Sequence, residues 1–226
     1  MEASKKTSNH PQLEIRVVVF TLQDNRLQVL LAPSSEHTSP ACWLLPCIDD
    51  MPQCALETAA ANCIEQWTGL SEVYLEQLYT YGDPQRHPSM RLISIIYFAL
   101  IPAGSAHHPR NNPAPRQWFP IGHLPCLAMD HAEILAYALR RLRYKLEYTA
   151  VGFELLPNDF TLSELQHTYE LILGEKLDKR NFRRRILEAG IIEATSNHRS
   201  GEGRPARLYR YRPDAVAEVK ARRLFP

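Results

Sequence analysis

The order of the elements in the last third of the chain limits the fold most strongly. A helix is predicted to begin with a capping box at Thr161 and Glu164, in which each side chain bonds the other residue's backbone N–H. Its apolar residues recur at three- and four-residue spacing as far as Gly174 and are Leu162, Leu165, Tyr169 and Ile172. A second helix is predicted over 179–189, and two β-rich segments, 191–195 and 207–211, flank a polar loop. Helix, short turn, helix and two-stranded wing form the order typical of a winged helix-turn-helix.

Basic residues are concentrated in this same part of the chain. The segment from Lys176 to Arg212 holds eleven lysines and arginines against four acids, although the net charge of the whole protein is only +1. The remainder of the chain is therefore acidic. A basic patch on one small unit is the electrostatic pattern expected for a protein that binds a phosphate-rich polymer. The alternative is a solvated surface helix without a partner.

The second helix of this unit is predicted to be the DNA-recognition helix. With Phe182 and Ile186 facing the core, the polar residues lie on the opposite face, where an asparagine can read adenine and an arginine guanine. An extended Gly-Arg-Pro at 203–205 suits insertion into a narrow minor groove. The sequence does not separate base-reading residues from phosphate-binding ones, and a protein-binding winged helix is the alternative. The predicted DNA-binding residues are Lys179, Arg180, Asn181, Arg183, Arg184, Arg185, Arg199, Arg204 and Arg207.

The first two thirds of the chain are predicted to mix helices and strands. A hairpin is expected from strands at 15–22 and 27–32, followed by an amphipathic helix over 55–67 and strands at 74–81, 91–100 and 117–119. Asp130 and Glu133 predict a second capping box, opening a helix that closes this unit near Thr149. The fold class is therefore α+β. We divide the chain into a disordered N-terminus over 1–13, an α/β domain over 14–148 and a winged-helix domain over 149–226.

Cysteine usage and hydropathy indicate a soluble cytoplasmic protein. The longest apolar runs, 15–22 and 93–101, are far shorter than the roughly 20 residues that cross a bilayer. The N-terminus carries no apolar stretch of the kind that a secretory signal needs. The five cysteines are interpreted as small hydrophobic side chains rather than as disulfide or zinc ligands; they are Cys42, Cys47, Cys54, Cys63 and Cys126.

Several segments, taken together, resemble one family in the same order along the chain. They are Trp-Leu-Leu-Pro at 43–46, Leu-Glu-Gln-Leu-Tyr-Thr-Tyr-Gly-Asp-Pro at 75–84, Leu-Arg-Tyr-Lys-Leu-Glu-Tyr-Thr at 142–149, Phe-Thr-Leu-Ser-Glu-Leu-Gln at 160–166, Leu-Asp-Lys-Arg-Asn-Phe-Arg-Arg at 177–184 and Gly-Arg-Pro-Ala-Arg-Leu-Tyr at 203–209. The chain is similar over 14–213 to the Nudix-related transcriptional regulators of NAD metabolism (NrtR). The resemblance implies an α/β/α Nudix sandwich with a mixed sheet, joined to a winged helix. It also implies a homodimer on a palindromic DNA operator of NAD-metabolism genes, with repression relieved by ADP-ribose.

The catalytic signature of Nudix hydrolases is degenerate here. That signature aims several carboxylates of one helix at Mg²⁺, which activates water against a pyrophosphate. Counting back from Gly69, its glycine and glutamate positions hold Ile48, Cys54, Cys63, Gln66 and Trp67. We therefore expect no catalytic residue, no metal site, no cofactor and no enzymatic activity. A hydrolase of nucleoside-diphosphate derivatives with a non-standard site, and a regulator whose first domain binds no ligand, are the alternatives.

The loop after the strand at 74–81 retains polar residues that suit a nucleotide effector. Arg86 and Arg91 could pair with a diphosphate or carboxylate, and Asp83 could accept hydrogen bonds from ribose hydroxyls. The alternative is that Asp83 forms only a turn and that Arg91 is a charge at the edge of a strand. The histidines His87, His107 and His108 are interpreted as exposed loop residues rather than metal ligands.

Overall fold

A mixed β-sheet organises the first part of the molecule. The computed structural model describes residues 10–34, 42–48, 53–105, 115–200 and 205–215. Within these residues the sheet has seven strands: β1 Gln12–Gln23, β2 Arg26–Pro33, β3 Trp43–Leu44, β4 Cys47–Ile48, β5 Tyr74–Tyr81, β6 Leu92–Ile101 and β7 Gln117–Pro120. The order is β3-β2-β1-β6-β5, with β4 paired to β1 and β7 to β2. The central pair, β1 and β6, is parallel, whereas the other pairs are antiparallel.

The predicted hairpin between β1 and β2 is confirmed. Gln23 pairs with Arg26, and the two residues between them, Asp24 and Asn25, have φ values of 50° and 60°. Asp and Asn tolerate this left-handed region, and two such residues form the turn whose twist matches that of the flanking strands. The register that follows directs the side chains of β1 alternately to the two faces of the sheet.

One helix covers each face of the sheet. Helix α1, Leu56–Thr68, packs through Ala59, Ala60, Cys63 and Ile64 on a core that includes Val17 and Val19. Helix α2, His131–Tyr148, packs on the other face through Ile134, Ala138 and Leu142, against a core that includes Val18 and Phe20. This arrangement is the predicted α/β/α sandwich.

The C-terminal part contains the predicted helices and wing. A 3₁₀ helix, Val151–Leu155, connects α2 to α3, Leu162–Leu173, which is followed by α4, Lys179–Glu188. Strands β8, Ile192–Arg199, and β9, Ala206–Tyr211, pair antiparallel, and a short 3₁₀ turn spans Pro213–Ala215. The capping box at Thr161 and Glu164 is present with both hydrogen bonds, 2.8 and 3.1 Å long. Gly174 ends α3 with a φ of 80°, as predicted from its position.

Two sequence predictions of local structure are wrong. Asp130 does precede α2, but its carboxylate makes no capping hydrogen bond because both of its oxygens bind Arg86 instead. The ordered structure also begins before residue 14, since β1 starts at Gln12 and pairs there with Leu92. The remaining predictions for the N-terminus, for the loop that contains His107 and His108, and for Arg204 lie outside the described residues.

The two parts of the chain share a continuous apolar core at the C-terminal end of α2. Leu142 and Leu146 of this helix belong to the same buried cluster as Leu165 and Tyr169 of α3. Arg143 Nε also donates a 2.8 Å hydrogen bond to the carbonyl oxygen of Ile172 at the end of α3. Helix α2 therefore contacts both the sheet and the winged helix.

None of the helices formed by the described residues combines the length and the apolar character needed to cross a membrane.

Gly152 lies at the closest approach in this shared core, and replacing it with alanine should weaken the junction. A Cβ there would lie 2.7 Å from Cε2 of Tyr169 and 2.9 Å from Cδ2 of Leu146, so both side chains would have to move. We expect Gly152→Ala to lower the free energy of unfolding by about 1–3 kcal/mol, the usual cost of overpacking. Urea denaturation measures this change. Gly122→Ala is the matched control, because nothing lies within 4 Å of its Cβ position; equal losses in both variants would contradict the prediction.

The interpretation of all five cysteines as hydrophobic side chains is wrong for two of them. Cys42 and Cys126 form a disulfide across 84 residues of sequence, with their Cα atoms 4.8 Å apart. Backbone hydrogen bonds bring them together, since Trp43 N donates to Cys126 O and Ala128 N donates to Trp43 O at 2.8 and 2.9 Å. This pairing joins segments that are distant in sequence, so cysteine spacing carried no signal of it. Cys63 is buried as expected, whereas Cys54 is exposed.

The disulfide predicts a defined pattern of thiol modification. Protein unfolded and alkylated without a reductant should carry label on the three cysteines that remain as thiols, Cys47, Cys54 and Cys63. Reduction before alkylation should label all five, and peptide mass spectrometry reads both patterns. In the control variant Cys42→Ser, Cys126 should become reactive without reduction. Labelling of all five cysteines in unreduced wild-type protein would disprove the bond.

Candidate nucleic-acid interface and ligand site

Helix α4 presents a cationic face to solvent. Phe182 and Ile186 are buried against α3 and anchor the opposite face. Asp178 caps the helix by accepting a 2.8 Å hydrogen bond from the backbone N–H of Asn181. The predicted DNA-binding residues that lie exposed on α4 are Lys179, Arg180, Asn181 and Arg184. A basic helix held by its apolar side and open on its polar side has the geometry needed to enter a DNA major groove.

The turn between α3 and α4 is fixed by Glu170. One oxygen of its carboxylate accepts hydrogen bonds from Gln166 Nε2 and the backbone N–H of Leu177, at 2.9 and 3.1 Å. The other oxygen pairs with Lys176 Nζ at 2.8 Å. The Lys176 ammonium and these N–H donors lower the pKa of Glu170 to about 2. The carboxylate therefore stays ionised at neutral pH and holds α4 at a set angle to α3.

Two of the predicted DNA-binding arginines, Arg199 and Arg183, contact the region around the start of α3. Arg199, at the end of β8, pairs with Glu164 and donates a 3.1 Å hydrogen bond to the carbonyl oxygen of Asp159. Arg183 Nη2 donates to Ser163 Oγ at 2.9 Å. Both arginines contact residues at the start of α3 and so support the wing and α4, and DNA contact by them stays a prediction.

The other predicted arginines differ in exposure. Arg184 pairs with Glu188 one turn later, at 3.0 Å, on the helix surface. Arg185 is half-buried, whereas Arg207 is exposed on β9 beside the wing. The position of Arg204, the predicted minor-groove residue, falls outside the described part of the chain.

A cavity of about 600 Å³ opens at one end of the sheet. Its walls come from β1, the ends of β2 and α1, the β3–β4 region, the β5–β6 loop and the segment before α2. The polar and aromatic side chains that line it include Gln12, Glu14, Arg16, Cys47, Trp67 and His87. Its size is that of a small-molecule binding site.

The predicted ligand-binding residues do not line this cavity. Arg86 is 3% exposed, and its guanidinium makes two 2.9 Å contacts with the carboxylate of Asp130. Asp83 accepts a 2.7 Å hydrogen bond from the backbone N–H of Gln85. This bond is typical of a turn formed by an aspartate side chain, the alternative that the sequence analysis gave for Asp83. Arg91 Nη1 donates to the carbonyl oxygen of Gly82. The loop does reach the cavity, but through His87, Pro88 and Met90.

The floor of the cavity contains a buried ion pair that the sequence analysis missed. Arg16 Nε and Nη2 contact the two carboxylate oxygens of Glu14, each at 2.8 Å. Burial acts to raise the pKa of Glu14, but the hydrogen bond and charge of Arg16 outweigh it, so that the pKa is lowered. The available signal was the alternation of Glu14 and Arg16 within an apolar strand, because strand residues two apart share a face.

His131, the first residue of α2, lies beside this ion pair and is neutral. Burial, followed by the charge of Arg16, lowers its pKa to about 4. Its Nδ1 accepts a 3.1 Å hydrogen bond from the backbone N–H of Leu45, so the proton of the neutral ring is on Nε2. The imidazole thus connects α2 to the segment between β3 and β4.

The residues of α1 do not fit the magnesium ion that the Nudix signature implies. Cys63 is completely buried in the core, Gln66 is exposed and Trp67 lines the cavity. The acids of this helix, Glu57 and Glu65, are exposed on other faces. Within the described residues, no three His, Cys, Asp or Glu side chains are grouped so as to hold a metal ion. A thiol and an indole are poor ligands for a hard cation, and the one neutral amide oxygen of Gln66 does not replace several carboxylates.

Comparison with known proteins agrees with this two-part architecture. The model of the NrtR DNA-binding winged helix domain matches residues 152–211. The ADPR responsive transcriptional repressor NtrR of Acinetobacter baylyi is 34% identical over 205 residues, which cover 89% of this chain and 82% of that protein. The Shewanella oneidensis NrtR structure in complex with a 27mer DNA has a TM-score of 0.80 and 32% identity, covering 94% of this chain and 97% of that one.

The first part of the chain has a separate structural match. The Nudix domain of Shewanella oneidensis NrtR, solved in complex with ADP ribose, has a TM-score of 0.51 and 27% identity, covering 62% of this chain and 94% of that domain. The identity and coverage of the Acinetobacter repressor are those of a member of the same family. With its Nudix-like sandwich, its winged helix and these relatives, the chain belongs to the NrtR family.

Proposed function

We propose that the protein is a DNA-binding transcriptional repressor of NAD metabolism, acting in the cytoplasm, whose Nudix-like domain binds ADP-ribose or a similar nucleotide effector without hydrolysing it. The observation that carries the proposal is the exposed cationic face of α4, held in place by a carboxylate-fixed turn. Lys179, Arg180 and Asn181 lie in the first turn of that helix, where backbone N–H groups also attract phosphate. The relatives of this chain include the Acinetobacter baylyi transcriptional repressor and Shewanella oneidensis NrtR, which was crystallised in complex with DNA.

The effector site is assigned to the cavity at the end of the sheet. Its volume of about 600 Å³ accommodates a dinucleotide-sized ligand. Arg16 supplies a cationic guanidinium to its floor, and Trp67 supplies an aromatic ring. The Nudix domain of a relative holds ADP ribose. The protein is proposed to act as a homodimer on a palindromic operator, since two-fold symmetry in the protein matches two half-sites in the DNA.

Enzymatic hydrolysis is not part of the proposed function. The positions that would supply the carboxylates hold Cys63, Gln66 and Trp67. Catalysis of pyrophosphate hydrolysis by this fold depends on carboxylate-bound magnesium, so the donor set does not support it. The alternative is a hydrolase with a non-standard site. A turnover assay distinguishes the two, because the hydrolase requires magnesium-dependent loss of ADP-ribose.

The salt dependence of DNA binding tests the proposed interface. It distinguishes side chains that contact DNA phosphates from side chains that only hold the winged helix in place. Each phosphate contact contributes about 0.9 to the slope of log K against log salt concentration. We expect Lys179→Ala and Arg207→Ala each to reduce that slope by about 1. The assay uses a duplex selected from random sequences by the wild-type protein. Arg199→Ala should weaken binding with an unchanged slope, because Arg199 is bound to Glu164 and Asp159 O. Unchanged affinity and slope in all three variants would overturn the DNA-binding assignment.

The effector assignment predicts stabilisation by ADP-ribose without turnover. A ligand that binds only the native state raises stability by about 2.7 kcal/mol at 100 times its Kd, which appears as a higher Tm. We expect this shift with ADP-ribose, in the presence and the absence of magnesium, and release of the selected duplex at the same concentrations. Chromatography should recover the ADP-ribose intact. Magnesium-dependent production of AMP would favour the hydrolase, and the absence of any shift would favour a ligand-insensitive first domain.

A further inference from the structure

A ring of buried and partly buried hydrogen bonds, completed by the backbone at Leu45 and between Asp130 and His131, connects the floor of the cavity to the start of α2. Arg16 Nη1 donates to the carbonyl oxygen of Leu45 at 2.9 Å, and the rest of its guanidinium pairs with Glu14. Glu14 accepts a hydrogen bond from Ser94 Oγ, which in turn accepts one from Arg86 Nη1. Arg86 pairs with Asp130, the residue that precedes α2. The ring closes at His131, whose Nδ1 accepts from Leu45 N.

The charged residues of this ring are costly in free energy to bury, which is unexpected for a feature that only stabilises the fold. It contains two acids and two arginines with side chains between 3% and 19% exposed. Buried ion pairs of this kind are commonly no more stabilising than apolar side chains of similar volume. Val18 and Ile96, which are completely buried on the same face of the sheet as Glu14, Arg16 and Ser94, show that this face accepts hydrophobic residues. A role other than stability therefore accounts better for the charges.

The ring is positioned to respond to a ligand. Glu14 and Arg16 line the cavity, while Ser94, Arg86 and Asp130 do not. An anionic ligand oxygen that accepts a hydrogen bond from Arg16 competes directly with Glu14 and with the carbonyl oxygen of Leu45. Because Glu14 and Leu45 are also bound to the next members of the ring, a change at Arg16 alters the bonds that reach α2.

Helix α2 carries the change to the DNA-binding part. Its first residue, His131, and the residue before it, Asp130, belong to the ring, and near its other end Arg143 binds Ile172 O at the end of α3. Leu146 packs with Tyr169 of α3, whose ring contacts Phe182 of α4 at 5.5 Å between centroids. A shift of α2 thus reaches the recognition helix through two packed contacts.

We propose that the ring formed by Glu14, Arg16, Ser94, Arg86, Asp130 and His131 couples occupancy of the cavity to the placement of α2 and the winged helix. Arg86 and Asp130 are positioning residues, because neither lines the cavity and neither belongs to the winged helix. This inference rests on the proposed function, because it needs both an effector and a DNA target. Coupling is measured as the ratio of DNA affinities without and with the effector.

The experiment measures three quantities on the full chain: the affinity for ADP-ribose by calorimetry, and the affinity for the selected duplex without and with saturating ADP-ribose. In the wild type we expect ADP-ribose to lower DNA affinity by about 5- to 150-fold, the usual range of allosteric coupling. Asp130→Asn should keep both separate affinities within about threefold of the wild type, while the ratio falls to about 1. The asparagine keeps the volume of the side chain and removes the charge that holds Arg86.

Two further variants make the result specific. Arg86→Gln combined with Asp130→Asn removes both charges together, so no unpaired charge stays buried if the single variant proves unstable. Glu76→Gln is the matched control, because Glu76 forms an ion pair with Lys145 of α2 outside the ring. We expect the double variant to lose coupling and Glu76→Gln to retain it.

The outcomes separate this inference from the proposed function. A wild-type ratio of 1 overturns the effector role itself and the coupling with it. A responsive wild type with an equally responsive Asp130→Asn and double variant overturns only the ring. Loss of ADP-ribose binding in those variants also overturns it, because Arg86 would then act as part of the ligand site. Loss of coupling in Glu76→Gln as well would overturn the specific role of the ring, because any weakening of α2 would then have the same effect.

Discussion

The architecture depends on the packing of α2 between the sheet and the winged helix. Ile134 and Ala138 cover the sheet, and Leu142 and Leu146 continue into the core that holds α3. A single apolar cluster thus extends from Val18 in β1 to Ile186 in α4. Interfaces that are large and hydrophobic restrict relative domain motion, whereas small polar ones permit it. The two parts are therefore joined by a shared element, and a movement of that element changes both.

The polar contacts around this core are of two kinds. Some fix the elements of the winged helix, and others lie at the cavity. Glu170 fixes the turn before α4, and Glu164 connects α3 to the wing through Arg199. These contacts are partly exposed and make the DNA-binding surface rigid before it meets DNA, which reduces the ordering cost of association. The Glu14–Arg16 pair, in contrast, is buried at a cavity. Rigidity is useful at a recognition surface, whereas hydrogen bonds with which a ligand can compete are useful at the cavity proposed to bind the effector.

The sequence predicted the fold well where local signals agreed with tertiary packing. The capping box at Thr161, the glycine that ends α3 and the hairpin between β1 and β2 each depend on neighbours in sequence, although the turn of that hairpin is two residues shorter than predicted. The candidate site was less predictable. Asp130 matched the pattern of a cap, but the guanidinium of Arg86, 44 residues away, binds its carboxylate. The Cys42–Cys126 bond and the partners of Arg199 likewise depend on contacts between segments that only the folded chain brings together.

The face of α1 that carries the degenerate signature supports the proposal that this domain binds its effector without hydrolysing it. Cys63 is completely buried beside Ile64, so the position belongs to the hydrophobic core and not to a solvated metal site. A glutamate there would have to lose its hydration without a cation to compensate, which costs far more than a thiol does. Replacing Cys63 with a glutamate is therefore not expected to be sufficient for catalysis. A sensor that leaves its ligand intact reports the ligand's concentration through occupancy alone, and that occupancy can act on α2 for as long as the ligand is present.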